Sequence, residues 1–201
     1  MIRVVLAEDQ AMLLTTLATI LDLEDDISVV CQAEDGQQAF DFLKGDPQVD
    51  LVISDIEMPN MTGIELAQAI KEAQHPAKVI VLTTFARSGY LRRAMDAGVK
   101  GYLLKDSPAD DLLRAIKRVM AGQRSVAPEL MEEAWDEVDP LTEKERKALK
   151  LAQQGDTTEV IAGKLHLTEG TIRNYLSSAS AKLGATNRIE AARIAQLKGW
   201  L

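Results

Sequence analysis

The chain has 201 residues, 46% of them hydrophobic and 27% charged, a globular balance that argues against a disordered or fibrous protein. Its longest uncharged stretch, Gln10 to Leu21, falls far short of the ~20 residues that span a bilayer, and Glu8 and Asp9 stand where a signal peptide would continue its apolar core, so a soluble, cytoplasmic protein without membrane insertion is expected. The net charge of −8 is uneven: residues 1–121 and 122–140 are acidic, at −7 and −5, whereas residues 141–201 carry +4, so only the tail suits a polyanion.

Through residue 121 the pattern alternates. Short β-branched runs at Ile2–Leu6, Ser28–Ala33, Leu51–Ser54, Lys78–Thr83 and Gly101–Leu104 are separated by segments of helical periodicity near 10–22, 36–44, 62–74, 88–97 and 108–121. Such alternation predicts βαβ crossovers and a parallel sheet, and the runs VVLA, LVIS and VIVL, apolar but for Ser54, suit strands buried on both faces. A five-stranded doubly wound sheet is the simplest topology, and its ligands bind beyond the carboxyl ends of the strands. The only cysteine, Cys31, excludes an internal disulfide, and with His75 and His166 as the only histidines no structural zinc site is expected.

The chemistry collects at those strand ends. Glu8 and Asp9 follow the first strand, Asp55 ends the third, Thr83 and Thr84 end the fourth, and Lys105 follows the fifth. Three carboxylates brought together repel one another unless a cation joins them, and all-oxygen ligation suits Mg²⁺. A hydroxyl and an ammonium beside them complete a pocket for a phosphoryl group.

The segments ED at 8–9, DIEMPNMTG at 55–63, TTFA at 83–86 and KGYLLKD at 100–106 resemble, in order and spacing, the receiver domain of two-component response regulators over residues 2–121. The resemblance implies that Asp55 is the phosphoacceptor of a sensor histidine kinase. It further implies that Glu8, Asp9, Asp55 and the backbone carbonyl of Glu57 hold Mg²⁺, and that Lys105 pairs with the phosphoryl oxygens. Thr83 and Tyr102 would form the switch that responds, with Thr84 beside them, while Pro59 and Gly63 shape the loop after Asp55. Many receivers carry a cis Lys-Pro bond after the fifth strand; here Asp106 follows Lys105, and a cis bond before a non-proline costs ~3 kcal/mol.

Residues 122–140, punctuated by Gly122, Pro128 and Pro140, read as an acidic linker with one short helical patch at Pro128–Glu137. Beyond it no strand-like run occurs. Thr142 to Glu145 has the form of a capping box opening a helix to Gln154, followed by helices near Thr157–Leu165, Thr168–Leu183 and Asn187–Lys198. Two short helices across a tight turn describe either a helix-turn-helix or an ordinary small bundle.

The runs LTEKERKALKLAQQG, IAGKL and TEGTIRNYLSSASAKLGATNRIEAA resemble the LuxR-type DNA-binding domain of NarL/FixJ regulators over residues 141–199. Thr168, Thr171, Arg173, Asn174, Tyr175, Ser177 and Lys182 on the third helix are then the candidate contacts to double-stranded promoter DNA, with Arg suited to guanine and Asn to adenine. Three residues depart from that pattern. Val160 stands for a usual Glu and removes a capping partner from Thr157, Tyr175 replaces a common His, and Ala179 replaces a common Ile, which predicts looser packing.

On the first helix Leu14, Leu17, Ala18 and Leu21 fall on one face, leaving Met12, Thr15, Thr16 and Thr19 outward with Leu13 and Ile20 beside them and no charge. Similar receivers pair through their first and fifth helices. Met12, Leu13, Thr16 and Ile20 are therefore the expected homodimer face of the phosphorylated protein. A second reading of the pocket is a Mg²⁺-dependent phosphatase with an aspartate nucleophile and Glu57 as its acid, although no substrate-selecting insertion is visible and the helical tail would have no role.

Overall fold

The computed structural model describes residues 1–46, 48–84, 88–128 and 139–201. The chain divides into two compact units, an amino-terminal α/β unit and a carboxy-terminal helical one.

In the first unit strands and helices alternate as β1 (Ile2–Ala7), α1 (Ala11–Asp22), β2 (Ile27–Ala33), α2 (Gly36–Gly45), β3 (Leu51–Asp55), α3 (Gly63–Glu72), β4 (Lys78–Thr83), α4 (Ser88–Asp96), β5 (Gly101–Leu104) and α5 (Ala109–Met120). Every pairing is parallel, in the order β2-β1-β3-β4-β5, with a further strand, β6 (Ser125–Val126), outside β5. Val4, Val5, Leu51, Val52, Ile80 and Val81 are wholly buried, the burial that their uninterrupted apolar runs require. Leu14, Ala18 and Leu21 of α1 and Leu112, Ala115, Ile116 and Val119 of α5 are buried at helical spacing.

The expectation of five strands needs correction. Ser125 and Val126 form a sixth strand, β6, beside Gly101 and Tyr102. Gly122, in the left-handed region at φ 84°, turns the chain after α5, and the amides of Ser125 and Ala127 donate to the carbonyls of Lys100 and Tyr102. Two residues are too few to show a period of 2, which is why this segment reads as the start of the linker. The helical patch expected at Pro128–Glu137 lies, beyond Pro128, outside the described residues. At the other edge, the β1–β2 register slips by one residue, since Val4 faces Val29 and Val5 faces Cys31. Val30 is left as the extra residue in β2.

The second unit contains four described helices, α6 (Glu143–Gln153), α7 (Thr158–Leu165), α8 (Glu169–Lys182) and α9 (Arg188–Leu197). Each begins at a side-chain cap: Thr142 with a full capping box to Glu145, then Thr157, Thr168 and Asn187. Thr157 accepts from the Val160 amide without a reciprocal partner, as the missing Glu predicts. The core joins Leu149 of α6, Ile161 of α7, Ile172 and Leu176 of α8 and the small Ala191, Ala192 and Ala195 of α9. Ala179, where looser packing was the expectation, is fully buried in this core. His166 closes α7 in the left-handed conformation, φ 54°, and forms the tight turn into α8.

Candidate functional site

Parallel register gathers the reactive residues. Ala7 pairs with Ser54, Asp55 with Leu82, and Thr83 with Leu104, so the ends of β1, β3, β4 and β5 share one edge of the sheet. Lys105, one residue past β5, places its Nζ 2.8 Å from Glu8 Oε2, 3.0 Å from Glu8 Oε1 and 2.9 Å from Asp55 Oδ2. Glu8 and Asp55 are buried and Asp9 is exposed at the mouth. Carboxylate oxygens of the three acids lie within 4.8 Å of one another.

The electrostatics follow from that crowding. Burial pushes the Glu8 carboxyl above its ordinary range, and the Asp55 charge adds to this against the opposing Lys105. Burial raises Asp55 likewise, with Lys105 and the Ile56 amide opposing and Asp9 adding. Burial alone would lower Lys105, but its contacts with Glu8 and Asp55 outweigh this and raise it. One ammonium among three carboxylates leaves two negative charges over. A set of hard oxygen donors with that excess fits a divalent cation such as Mg²⁺.

The loop after Asp55 is tightly determined. The Ile56 amide donates to Asp55 Oδ1 at 2.6 Å, and the Ser54 hydroxyl donates to the Asp55 carbonyl at 2.8 Å. A Cβ on Gly63 would lie 1.9 Å from that carbonyl oxygen, so only glycine lets α3 start so close. Glu57 is exposed two residues past Asp55. Thr83 is buried, and its carbonyl accepts from the Lys105 amide at 2.8 Å, whereas Thr84 is exposed. Tyr102 is already fully buried here. The Lys105–Asp106 bond is trans, since there is no cis peptide bond among the described residues.

On α8, Thr168, Arg173, Asn174 and Ser177 are exposed, while Thr171 and Tyr175 are half-buried. The Thr168 hydroxyl is engaged as helix cap to the Thr171 amide, and Arg173 pairs with Glu169 at 3.3 Å. Lys182 has another partner: its Nζ lies 2.7 Å from Glu145 Oε2. From the sequence alone Glu145 has only a helix-capping role, as the partner of Thr142. Only the i, i+4 spacing of Ser178 and Lys182 hinted that α8 turns polar groups toward α6.

On α1 the exposed and buried positions fall as the 3.6 period predicts, except that Leu17 is half-buried. The hydroxyls of Thr15, Thr16 and Thr19 donate to the carbonyls of Ala11, Met12 and Thr15 at 2.9, 2.7 and 2.8 Å. A cleft of about 190 Å³ beside this face is lined by Leu13, Thr16 and Ile20 from α1, by Leu104 and Lys105, and by Leu112 of α5.

Comparison with known proteins accounts for both units. Residues 4–117 match the response regulator receiver domain, and residues 139–195 match the bacterial regulatory proteins of the luxR family. The chain is 50% identical to the transcriptional regulatory protein DesR of Bacillus subtilis over 100% of this chain and 99% of that one. It is 31% identical to the nitrate/nitrite response regulator NarL of Escherichia coli, covering 94% of this chain and 92% of NarL. Among solved structures, the two-component response regulator RcsB in complex with DNA aligns with a TM-score of 0.66 at 26% identity, over 97% of this chain and 98% of RcsB. The chain thus belongs to the two-component response regulators that join a receiver domain to a LuxR-type DNA-binding domain.

Proposed function

We propose that this regulator is switched by transfer of a phosphoryl group from a sensor histidine kinase to Asp55, and that the phosphorylated form pairs and binds promoter DNA through α8. The observation that carries this reading is the Lys105 ammonium held by Glu8 and Asp55 in a pocket still two charges short of neutrality. An Asp55 carboxylate oxygen attacks phosphorus while the phosphorus–nitrogen bond of the donor histidine breaks, the electron pair leaving with the imidazole nitrogen. Lys105 stays against the pocket through this exchange and balances charge on the phosphoryl oxygens, and Thr83 offers them a hydroxyl. Glu8, Asp9, Asp55 and the Glu57 carbonyl are the donors for Mg²⁺, which when bound supplies further neutralisation of the phosphoryl oxygens. The phosphatase alternative leaves the LuxR-type unit without a role.

The occupant proposed for the α1 face is a second copy. Its threonine hydroxyls are satisfied within the helix, so burying the face orphans no donor, and it presents methyl groups with Met12, Leu13 and Ile20. Pairing brings two helix-turn-helix units to adjacent half-sites and raises their effective concentration. A Thr16→Glu protein should take up phosphate normally yet sediment as a monomer; a phosphorylated variant that remains dimeric would move the interface to another face.

For DNA, Arg173, Asn174 and Ser177 are the proposed readers, with Thr168, Thr171 and Tyr175 at the flank toward phosphate and sugar. On a duplex selected from a random pool, treatment with acetyl phosphate and Mg²⁺ should raise affinity. Arg173→Ala should weaken that specific complex by ~1–3 kcal/mol with a smaller loss on random duplex; equal losses would make Arg173 a phosphate contact. The working compartment proposed is the cytoplasm, and among the described residues no helix is long and apolar enough to cross a membrane.

A further inference from the structure

Glu145 is buried, only 4% exposed, one turn into α6. Its carboxylate serves two elements at once. Oε2 accepts from the Thr142 amide at 2.7 Å and the Thr142 hydroxyl at 2.9 Å, closing the capping box. Oε1 accepts from the Ser178 hydroxyl at 2.6 Å, and Oε2 also takes Lys182 Nζ at 2.7 Å. Ser178 and Lys182 stand four residues apart at the border between the buried stripe of α8, formed by Ile172, Leu176 and Ala179, and its exposed face, on the row that Asn174 begins. Two anchor points one turn apart fix the rotation of a helix about its axis, as a single contact does not. Behind this brace the core joins Ala148 and Leu149 of α6 with Ile172, Leu176 and Ala179 of α8, apolar contacts that carry no direction of their own. Burial disfavours the Glu145 charge, but Lys182, Ser178 and Thr142 more than compensate and hold its pKa at about 2, so the brace is ionised at neutral pH.

We propose that Glu145 is a positioning residue for DNA recognition: through Ser178 and Lys182 it sets the rotation of α8, and Lys182 is the inner end of this brace instead of a contact to the DNA backbone. The proposal rests on the reading of α8 as the recognition helix. It separates two properties that a simple contact joins. Turning α8 by a few degrees spoils the bidentate geometry that base edges require, whereas attachment to phosphates, being tolerant of angle, survives.

The experiment uses the full chain, phosphorylated with acetyl phosphate, and a selected and a random duplex over a range of salt concentrations. Lys182→Met should weaken the selected duplex about tenfold, the equivalent of one charge-assisted hydrogen bond. It should leave the random duplex and the salt slope unchanged. Lys182→Arg, which keeps the charge and the reach to Glu145, should restore the selected duplex. Ser178→Ala should act in the same direction as Lys182→Met, and Glu145→Gln should add little once Lys182 is already Met. Ser178→Ala and Lys182→Met, which leave the capping box of α6 intact, test the brace even if Glu145→Gln fails to fold, which a circular dichroism melt reveals. If Lys182→Met instead weakens both duplexes equally and lowers the salt slope by ~0.9, Lys182 is a phosphate contact and the brace is wrong. Unchanged selected binding in Lys182→Met also overturns the brace. If Arg173→Ala and Asn174→Ala have no effect on the selected duplex, the recognition-helix reading fails and the proposal falls with it.

Discussion

Asp55→Asn should take up no phosphoryl group above background from acetyl phosphate and Mg²⁺, where the parent protein gains one phosphate by mass. Asparagine keeps the shape of the side chain and an oxygen to accept from the Ile56 amide, so the loop held by Gly63 has no reason to move. What it loses is the nucleophile: an amide nitrogen has its lone pair delocalised into the carbonyl and does not displace a phosphoryl group. Neighbouring acids are poor substitutes, because Glu8 has both oxygens engaged by Lys105 and Asp9 stands exposed at the mouth. The variant should also lose the rise in DNA affinity on treatment with acetyl phosphate. Equal incorporation by Asp55→Asn would place the acceptor on another residue.

Lys105→Met should destabilise the receiver by ~3–5 kcal/mol at neutral pH, the cost of removing one partner from a buried ion pair. The ammonium is the cation that both buried acids touch, and its side chain is only 7% exposed. Without it Glu8 and Asp55 face each other with no compensating charge, and solvent reaches them too little to screen the repulsion. Added Mg²⁺ should return more stability to the variant than to the parent, because a cation bound only by the folded state stabilises it by mass action. Hydrogen exchange at the β1 and β3 amides isolates the receiver from the helical unit, whose unfolding would otherwise mix into a global melt. An unchanged exchange rate in Lys105→Met without Mg²⁺ would show that the pair carries no stabilising load.

The receiver was legible because its signals are redundant. Each central strand holds an apolar run of three or four residues, each helix buries residues at a 3.6 spacing, and parallel pairing then leaves no choice about which edge Glu8, Asp55, Thr83 and Lys105 share. β6 escaped for the opposite reason: its strand geometry rests on hydrogen bonds that the Ser125 and Ala127 amides donate to the carbonyls of Lys100 and Tyr102, which no local pattern announces. Tyr102 shows a related limit. Its position in β5 was plain, but its full burial depends on what packs around the ring. In the helical unit, caps at Thr142, Thr157, Thr168 and Asn187 marked the helix starts well. The partner of Lys182 did not follow from them, since a lysine at the end of an exposed-looking helix reads equally as a DNA contact. Only the approach of α6, which brings Glu145 Oε2 to 2.7 Å, decides which partner it takes.

The slipped register at Val30 bears on what the outer edge of the sheet offers to another molecule. β2 is an outer strand of seven residues, Ile27–Ala33, with no charged side chain and no proline along it, and its middle is half-exposed. A straight strand of that composition offers neighbouring molecules a row of unpaired amides and carbonyls, the usual template for sheet-to-sheet aggregation. The extra residue breaks the even spacing of those groups and bends the strand, so an incoming strand meets matching donors and acceptors over only part of its length. Irregularity in the backbone thus takes the protective place that lysines occupy on many other sheet edges.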